Sequence, residues 1–248
     1  MADRDWRPRW QRVANALRAE ILDGTFPPGA ELPTEKQLSD RFGFSRTTIR
    51  GALEALRAEG HVTSVRGRGS FVRERRRLRR LTTELTGEGA RWRGWNALME
   101  REGLQPQVRT TVVRRPCPPQ VAEQLGLEPG ETVVVRERVM GAAGEPPAQL
   151  ADSYIPLWVA EQVPALERPD TGPGGMLERL RDAGFRLSFE ETISARAPTP
   201  TEVDTLRLAP GVPVLVVERL TLDADNNVLD YQPRVIDASR IEQSYRFA

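Results

Sequence analysis

The segment PPQVAEQLGLEPGETVVVRERV at 118–139 recurs as TPTEVDTLRLAPGVPVLVVERL at 199–220. The offset is a constant 81 residues, pairing Leu125 with Leu206, Leu127 with Leu208, Gly130 with Gly211, Val133 with Val214, Val135 with Val216, Glu137 with Glu218 and Arg138 with Arg219. Such a repeat restricts the fold, because each copy must adopt the same small unit and the two must then bury their apolar sides together. Each copy reads as a short helix, a Pro-Gly turn and a strand of alternating character. The expectation is an α+β domain (mixed α/β) of two related halves on an antiparallel sheet. The seam between such halves is a natural place for a ligand, although a repeat also serves as plain scaffold.

Upstream the pattern changes. Trp10, Val13, Ala14, Leu17, Ile21 and Leu22 recur at helical spacing and predict an amphipathic helix over about 9–23. Gly24 ends it, and Phe26-Pro27-Pro28-Gly29 makes a turn. Thr34 and Gln37 form a capping box that opens a second helix, with Leu38 and Phe42 inward and Gly43 as its stop. Ser45 caps a third helix over 46–59, whose buried stripe is Ile49, Ala52, Leu53 and Leu56. Val62–Val65 and Ser70–Val72 read as two strands around the tip Arg66-Gly67-Arg68-Gly69. Three helices and a basic-tipped hairpin make a winged helix-turn-helix, with only Gly43-Phe44 between its second and third helices. Arg46, Thr47, Thr48 and Arg50 then stand where a recognition helix enters a major groove. Arginine bonds guanine bidentately, and threonine offers a hydroxyl and a methyl to base edges. The wing arginines, carried on glycines, suit a narrow groove.

The charge follows the same division. Residues 1–80 hold 18 Lys+Arg against 10 Asp+Glu, whereas residues 81–248 hold 18 against 25, so a net +8 faces a net −7. A basic module on an acidic remainder reads as a polyanion-binding unit joined to something else. No apolar run approaches the roughly 18–20 residues of a membrane span, and MADRDWRPRW lacks the apolar core of a secretory signal. With one cysteine, Cys117, and one histidine, His61, an intramolecular disulfide framework is excluded, and a His/Cys metal site or His-dependent catalysis would rest on His61 alone. The location expected is the cytoplasm, with no membrane, no metal and no cofactor. His61 reads as a partly buried structural histidine at the entry to the first wing strand.

Residues 73–80 carry six arginines and read as an interdomain linker. Trp92, Trp95, Leu98 and Met99 predict a helix over about 86–102, more in keeping with a core stripe than with a cofactor site. Between the repeats lie Gln149, Asp152 and Ser153-Tyr154-Ile155-Pro156, then a helix near 175–183 ended by Gly184. Arg136 and Arg138 share side-chain parity on one strand, so both point to one face and favour an anionic or strongly hydrogen-bonding ligand. Glu190 and Glu191 are adjacent on a strand and face opposite ways, which argues against a paired-carboxylate enzyme.

The stretch GTFPPGAELPTEKQLSDRFGFSRTTIRGALEALRAEGHVTSVRGRGSFV resembles the GntR-family DNA-binding domain almost throughout. The resemblance implies DNA-contacting places for Lys36, Ser45, Arg46, Thr47, Thr48, Arg50, Arg66, Gly67 and Arg68. The segments LGLEPGETVVVRERV, DSYIP and LAPGVPVLVVERLTLDADNNVLDY are similar to the HutC subfamily, whose effector domain is called UTRA and is similar to the chorismate lyase fold. That likeness implies a small-molecule site with Thr82 and Thr83 near a ligand loop, Arg136 and Arg138 on the strand reaching the ligand, and Tyr231 on the matching strand of the second half. The C-terminal RVIDASRIEQSYRF departs from the Arg-x-Asp-x-Tyr/Phe pattern of sugar-phosphate-binding members, which argues against a phosphosugar. The domains expected are 9–73 (winged helix-turn-helix), 74–81 (basic linker) and 82–248 (UTRA-like effector and dimerisation domain). The function expected is a homodimeric, ligand-responsive repressor of an inverted-repeat operator, its dimer contact supplied by a strand edge in 212–222 or 228–237. Two rivals stay open: an enzyme on the lyase-like fold, and a DNA-binding dimer whose effector domain has lost its ligand.

Overall fold

The computed structural model describes residues 7–65, 67–73, 78–81 and 94–245. The chain divides into two compact units, Met1–Arg76 with Ala209–Val212, and Arg77–Leu208 with Pro213–Ala248.

In the first unit, α1 (Arg9–Leu22), α2 (Glu35–Phe42) and α3 (Arg46–Ala58) precede a hairpin of β1 (Val62–Val65) and β2 (Gly69–Val72). The Thr34–Gln37 capping box forms in both directions, satisfying two of the amide groups that a helix start leaves open. Gly43 takes a left-handed φ of 69°, which turns the chain between α2 and α3 at little steric cost. The Ser45 hydroxyl accepts from the Thr48 amide and starts α3. Val13, Leu17, Leu38, Ile49, Leu53 and Leu56 close one core with Val62 and Val72 of the hairpin. This is the expected winged helix-turn-helix.

The second unit is a six-stranded sheet in the order β4-β5-β6-β9-β8-β7, every neighbour antiparallel. Its strands are β4 (Pro106–Pro116), β5 (Thr132–Ala142), β6 (Gln149–Pro156), β7 (Ser188–Arg196), β8 (Val214–Leu222) and β9 (Val228–Asp237). The repeat is visible as α5 (Pro119–Leu125) before β5 and α8 (Pro200–Leu206) before β8, each with proline in its first turn. Both helices end left-handed, at Gly126 with φ 66° in one copy and at Arg207 with φ 52° in the other. The order reads outward identically from its centre, so β4-β5-β6 and β7-β8-β9 are the two halves. Ala151 pairs with Arg234 and Tyr154 with Tyr231. That register sets Asp152 opposite Pro233, which are themselves 81 apart, so the pseudo-twofold passes between them.

Strand parity assigns each side chain to a face. One face carries Val133, Val135, Tyr154 and Tyr231 under α5. The other carries Val134 and Ile155 under α6 (Leu157–Gln162) and α7 (Gly175–Asp182), and Met140, Ala151, Val217 and Ile236 under α4 (Trp95–Arg101).

Three expectations need correcting. The helix expected over 86–102 begins only at Trp95, because Gly94 is extended; residues 86–93 lie outside the described residues. The last four residues of the expected linker are a strand, β3 (Leu78–Leu81), paired parallel with β10 (Ile241–Ser244), and Leu78 is buried in the second unit's core. Neither 214–222 nor 228–237 is an edge, since β8 and β9 are each bonded on both sides; the sheet's edges are β4 and β7.

Candidate DNA interface and effector site

Arg46, Thr47 and Arg50 are exposed in the first turns of α3, and Lys36 is exposed in the first turn of α2. The capped start of α3 also offers a positive dipole end suited to phosphate. Arg50 is held by Glu35, with Nε donating at 3.2 Å and Nη2 at 2.9 Å. This ion pair lowers the Glu35 carboxyl pKa and raises that of Arg50. The pair uses the Nε and Nη2 donors of the guanidinium. Thr48 is half-buried, its hydroxyl 3.0 Å from that of Ser45, so both serve the cap. In the wing, Gly67 has φ 78° and the Arg68 guanidinium lies 5.7 Å from the Phe71 ring centroid. Arg66 lies outside the described residues. His61 is half-buried, with Nε2 3.8 Å from Glu59 Oε2.

On the second unit's sheet, a polar band separates the two apolar clusters of one face. Along β5 the order is Val134, Arg136, Arg138, Met140; along β6 it is Ile155, Ser153, Ala151. Registered with them are Asp230, Gln232 and Arg234 on β9, Arg219 and Thr221 on β8, and Glu191 on β7. Arg136, Ser153, Arg219, Thr221, Asp230, Gln232 and Arg234 are all buried.

The bonds within the band are specific. Arg138 donates from Nε to the Ala151 carbonyl at 3.1 Å and from Nη2 to Ser153 Oγ at 2.6 Å. Gln232 Nε2 donates to the same hydroxyl at 3.0 Å, and its Oε1 accepts from Arg219 Nη2 at 2.9 Å. Arg234 ion-pairs with Glu191, which also accepts from the Tyr245 hydroxyl at 2.7 Å. Arg136 donates to the carbonyls of Leu166, Arg168 and Pro169, tying down the turn after α6.

The band is nevertheless incompletely satisfied. Among the described residues, Arg234 Nε and Nη1, Arg136 Nε and Thr221 Oγ1 have no hydrogen-bond partner, and no donor meets either Asp230 oxygen in good geometry. Burial pushes the Asp230 pKa up to about 6, against the pull of Arg219, Arg138, Ser153 and Arg136. Burial likewise lowers Arg138 to about 10, and Arg136, Arg219 and Arg234 below the usual guanidinium value. Arg80 of β3 is pushed down to about 10 by burial and then by Arg219, so the strand after the linker shares the band's field.

Of the expected effector residues, Arg136 and Arg138 share this face, and Thr82 and Thr83 lie outside the described residues. Tyr231 does not join them. Its ring sits in the apolar cluster of the opposite face, 6.2 Å from that of Tyr154, and its hydroxyl donates to Glu218. The reason is parity: its neighbours Asp230 and Gln232 are the ones that face the arginines. Sequence reading missed Ser153, Asp230, Gln232 and Arg234 as site residues. The signal available was Arg219, the repeat partner of Arg138, whose face a register would have extended to β9.

A winged helix-turn-helix with an exposed basic recognition helix, and a repeat-built sheet domain with a buried, partly unsatisfied polar band, define a DNA-binding regulator with a ligand domain. The family model described as bacterial regulatory proteins, gntR family, matches residues 10–72, and the UTRA domain matches residues 101–242. An HTH-type transcriptional regulator of Streptomyces coelicolor is 31% identical over 252 residues, covering 97% of this chain and 93% of that one. The histidine utilization repressor of Pseudomonas aeruginosa is 24% identical over 86% of this chain and 81% of its own. A crystal structure of a GntR-family transcriptional regulator superposes with TM-score 0.70 at 28% identity, covering 98% of each chain. The chain belongs to the gntR family of bacterial regulatory proteins, in the branch that carries a UTRA effector domain.

Proposed function

We propose that the protein is a cytoplasmic, homodimeric repressor that leaves an inverted-repeat operator when a small anion occupies the arginine band. The observation that carries the effector reading is a buried set of guanidinium, carboxylate and hydroxyl groups with open hydrogen-bonding positions, which an apolar core does not tolerate without compensation. Arg136, Arg138 and Arg234 supply donors for a carboxylate or phosphate. Asp230 and Thr221 take donor groups from the same molecule. Thr82 and Thr83 complete the site in this reading, and Tyr231 supports the sheet from behind. A groove of about 570 Å³ lined by Gln107, Arg109, Pro146, Asp204 and Arg207 belongs to the opposite face. Its charged groups are solvated, so it lacks the unmet demand of the band.

For DNA, Arg46 and Arg50 read bases, whereas Lys36, Ser45, Thr47, Thr48, Arg66, Gly67, Arg68 and the linker arginines hold the backbone. The domains are the winged helix-turn-helix at 9–73, a basic linker that ends before β3, and an effector domain that starts with β3. A two-fold dimer doubles the short half-site of one winged helix. Its contact is assigned to the edge of β7, where Thr192–Ala195 is uncharged and Ile193 is 43% exposed.

The test is operator release by the full chain. Small carboxylates and phosphorylated metabolites are screened by thermal shift, and hits are added to the operator complex. A ligand coupled by about 1–3 kcal/mol weakens DNA binding roughly 5–150-fold, and DNA weakens ligand binding equally. Arg234→Gln should abolish the response and spare operator affinity. A full response in that variant refutes the pocket, and sedimentation of Ile193→Lys as an unchanged dimer refutes the β7 contact.

A further inference from the structure

We propose that the groove between α8 and the β4–β5 side of the sheet is a second ligand site, independent of the arginine band, in which Arg109 and Arg207 hold a small molecule through a carboxylate or phosphate group. The groove has a volume of about 570 Å³, within the range of small-molecule sites. Val139, Pro146 and Pro147 give it an apolar wall, and Arg109, Asp204 and Arg207 line it with charge. Arg109 and Arg207 are both exposed, and neither guanidinium has a hydrogen-bond or ion-pair partner among the described residues. The groove's other acid, Glu145, is already taken by Arg240, whose Nη2 donates at 2.7 Å.

Arg207 ends α8 at φ 52° and ψ 48°, a left-handed conformation that is unfavourable for a residue with a Cβ. Its repeat partner, Gly126, ends α5 in the same conformation without that cost. Glycine therefore suffices for this turn, and only one copy forgoes it. Strained non-glycine residues of this kind cluster at sites where the side chain serves a ligand. The rest of the groove differs between the halves in the same sense. Arg109 pairs with Val139 as Glu190 pairs with Leu220, so the positions are equivalent and the base of one half is an acid in the other. Gly141 lines the groove where the repeat places the buried Leu222, and a side-chain carbon there would meet Pro147 Cα at 3.0 Å. Two forked guanidiniums suit carboxylate or phosphate oxygens. Asp204 takes a hydroxyl or ammonium group of the same molecule.

The experiment is hydrogen exchange followed by mass spectrometry on the full chain, titrated with inorganic phosphate in one series and succinate in another. The series that saturates identifies which oxyanion the groove takes. The readout is anion-induced protection of the peptides covering β4 and α8, with half-saturation expected at about 1 mM because both arginines are solvated. Arg109→Gln and Arg207→Gly should each raise the half-saturating concentration about ten- to a hundredfold, the loss of one charge-assisted pair. Arg234→Gln should leave it unchanged, which separates the groove from the band. Arg207→Gly should also keep or raise thermal stability, because glycine relieves the left-handed backbone. A purely structural Arg207 predicts the reverse, lower stability with unchanged protection, and that result overturns the proposal. So does the absence of saturable protection with either anion up to about 50 mM. Protection that is unchanged in either arginine variant, or that disappears in Arg234→Gln, overturns it as well. Should Arg207→Gly fail to fold, Arg109→Gln decides alone.

Discussion

Replacing Asp230 by Asn should change the pH dependence of stability in the second unit. The carboxyl is fully buried and its pKa rises from 3.8 to about 6, chiefly through burial. The folded state therefore binds this proton more tightly than the unfolded chain. Stability from the protonated acid is intact below about pH 4 and is lost as pH rises through about 6. A rise of about two units corresponds to roughly 3 kcal/mol at full ionisation, of which about half is already lost at pH 5. Asn does not titrate, so the variant should gain on wild type by about 1–2 kcal/mol more at pH 7.5 than at pH 5. Hydrogen exchange followed by mass spectrometry on peptides covering β6 and β9 reports this unit separately from the helical one. Any penalty from the amide itself is the same at both pH values and cancels. A stability difference between variant and wild type that does not change with pH would refute the burial argument.

Three further outcomes follow from the geometry. Arg50→Ala should cost about 1–3 kcal/mol of operator affinity and flatten preference at one base pair in a mobility-shift series. Glu35→Gln, which removes the partner holding Arg50, should blunt preference at that same base pair to a lesser degree; an effect at a different base pair would break the link between the two residues. Cys117 is 3% exposed and its thiol pKa is raised by burial and then by Glu131. It should react with thiol reagents far more slowly in the native protein than in urea, and equal rates would contradict its placement.

Much of the DNA-binding unit was legible because its signals are local. A capping threonine, a glycine stop and a stripe at helical spacing each act within a few residues, and Thr34, Gly43, Ser45 and Leu56 sit as those rules require. The repeat was equally legible, since similar sequences fold into similar units, and it foretold the helix–turn–strand of α5–β5 and α8–β8. Parity along a single strand also sufficed to put Arg136 and Arg138 on one face.

Relations between distant strands were not legible. A residue's face relative to another strand depends on register, and a shift of one residue exchanges the faces. That is why Tyr231 was grouped with the arginines while Asp230 and Gln232, one position to either side, were missed. The pairing of β8 and β9 on both sides, the edges left at β4 and β7, and the strand formed by the end of the arginine run with β10 are likewise products of long-range hydrogen bonding. The sequence by itself determined the helical motif, the two halves and the basic recognition surface. The tertiary structure decided which side chains of the two halves meet, because burial and the resulting charge demand at Asp230 and Arg234 arise only when six strands are assembled in one register.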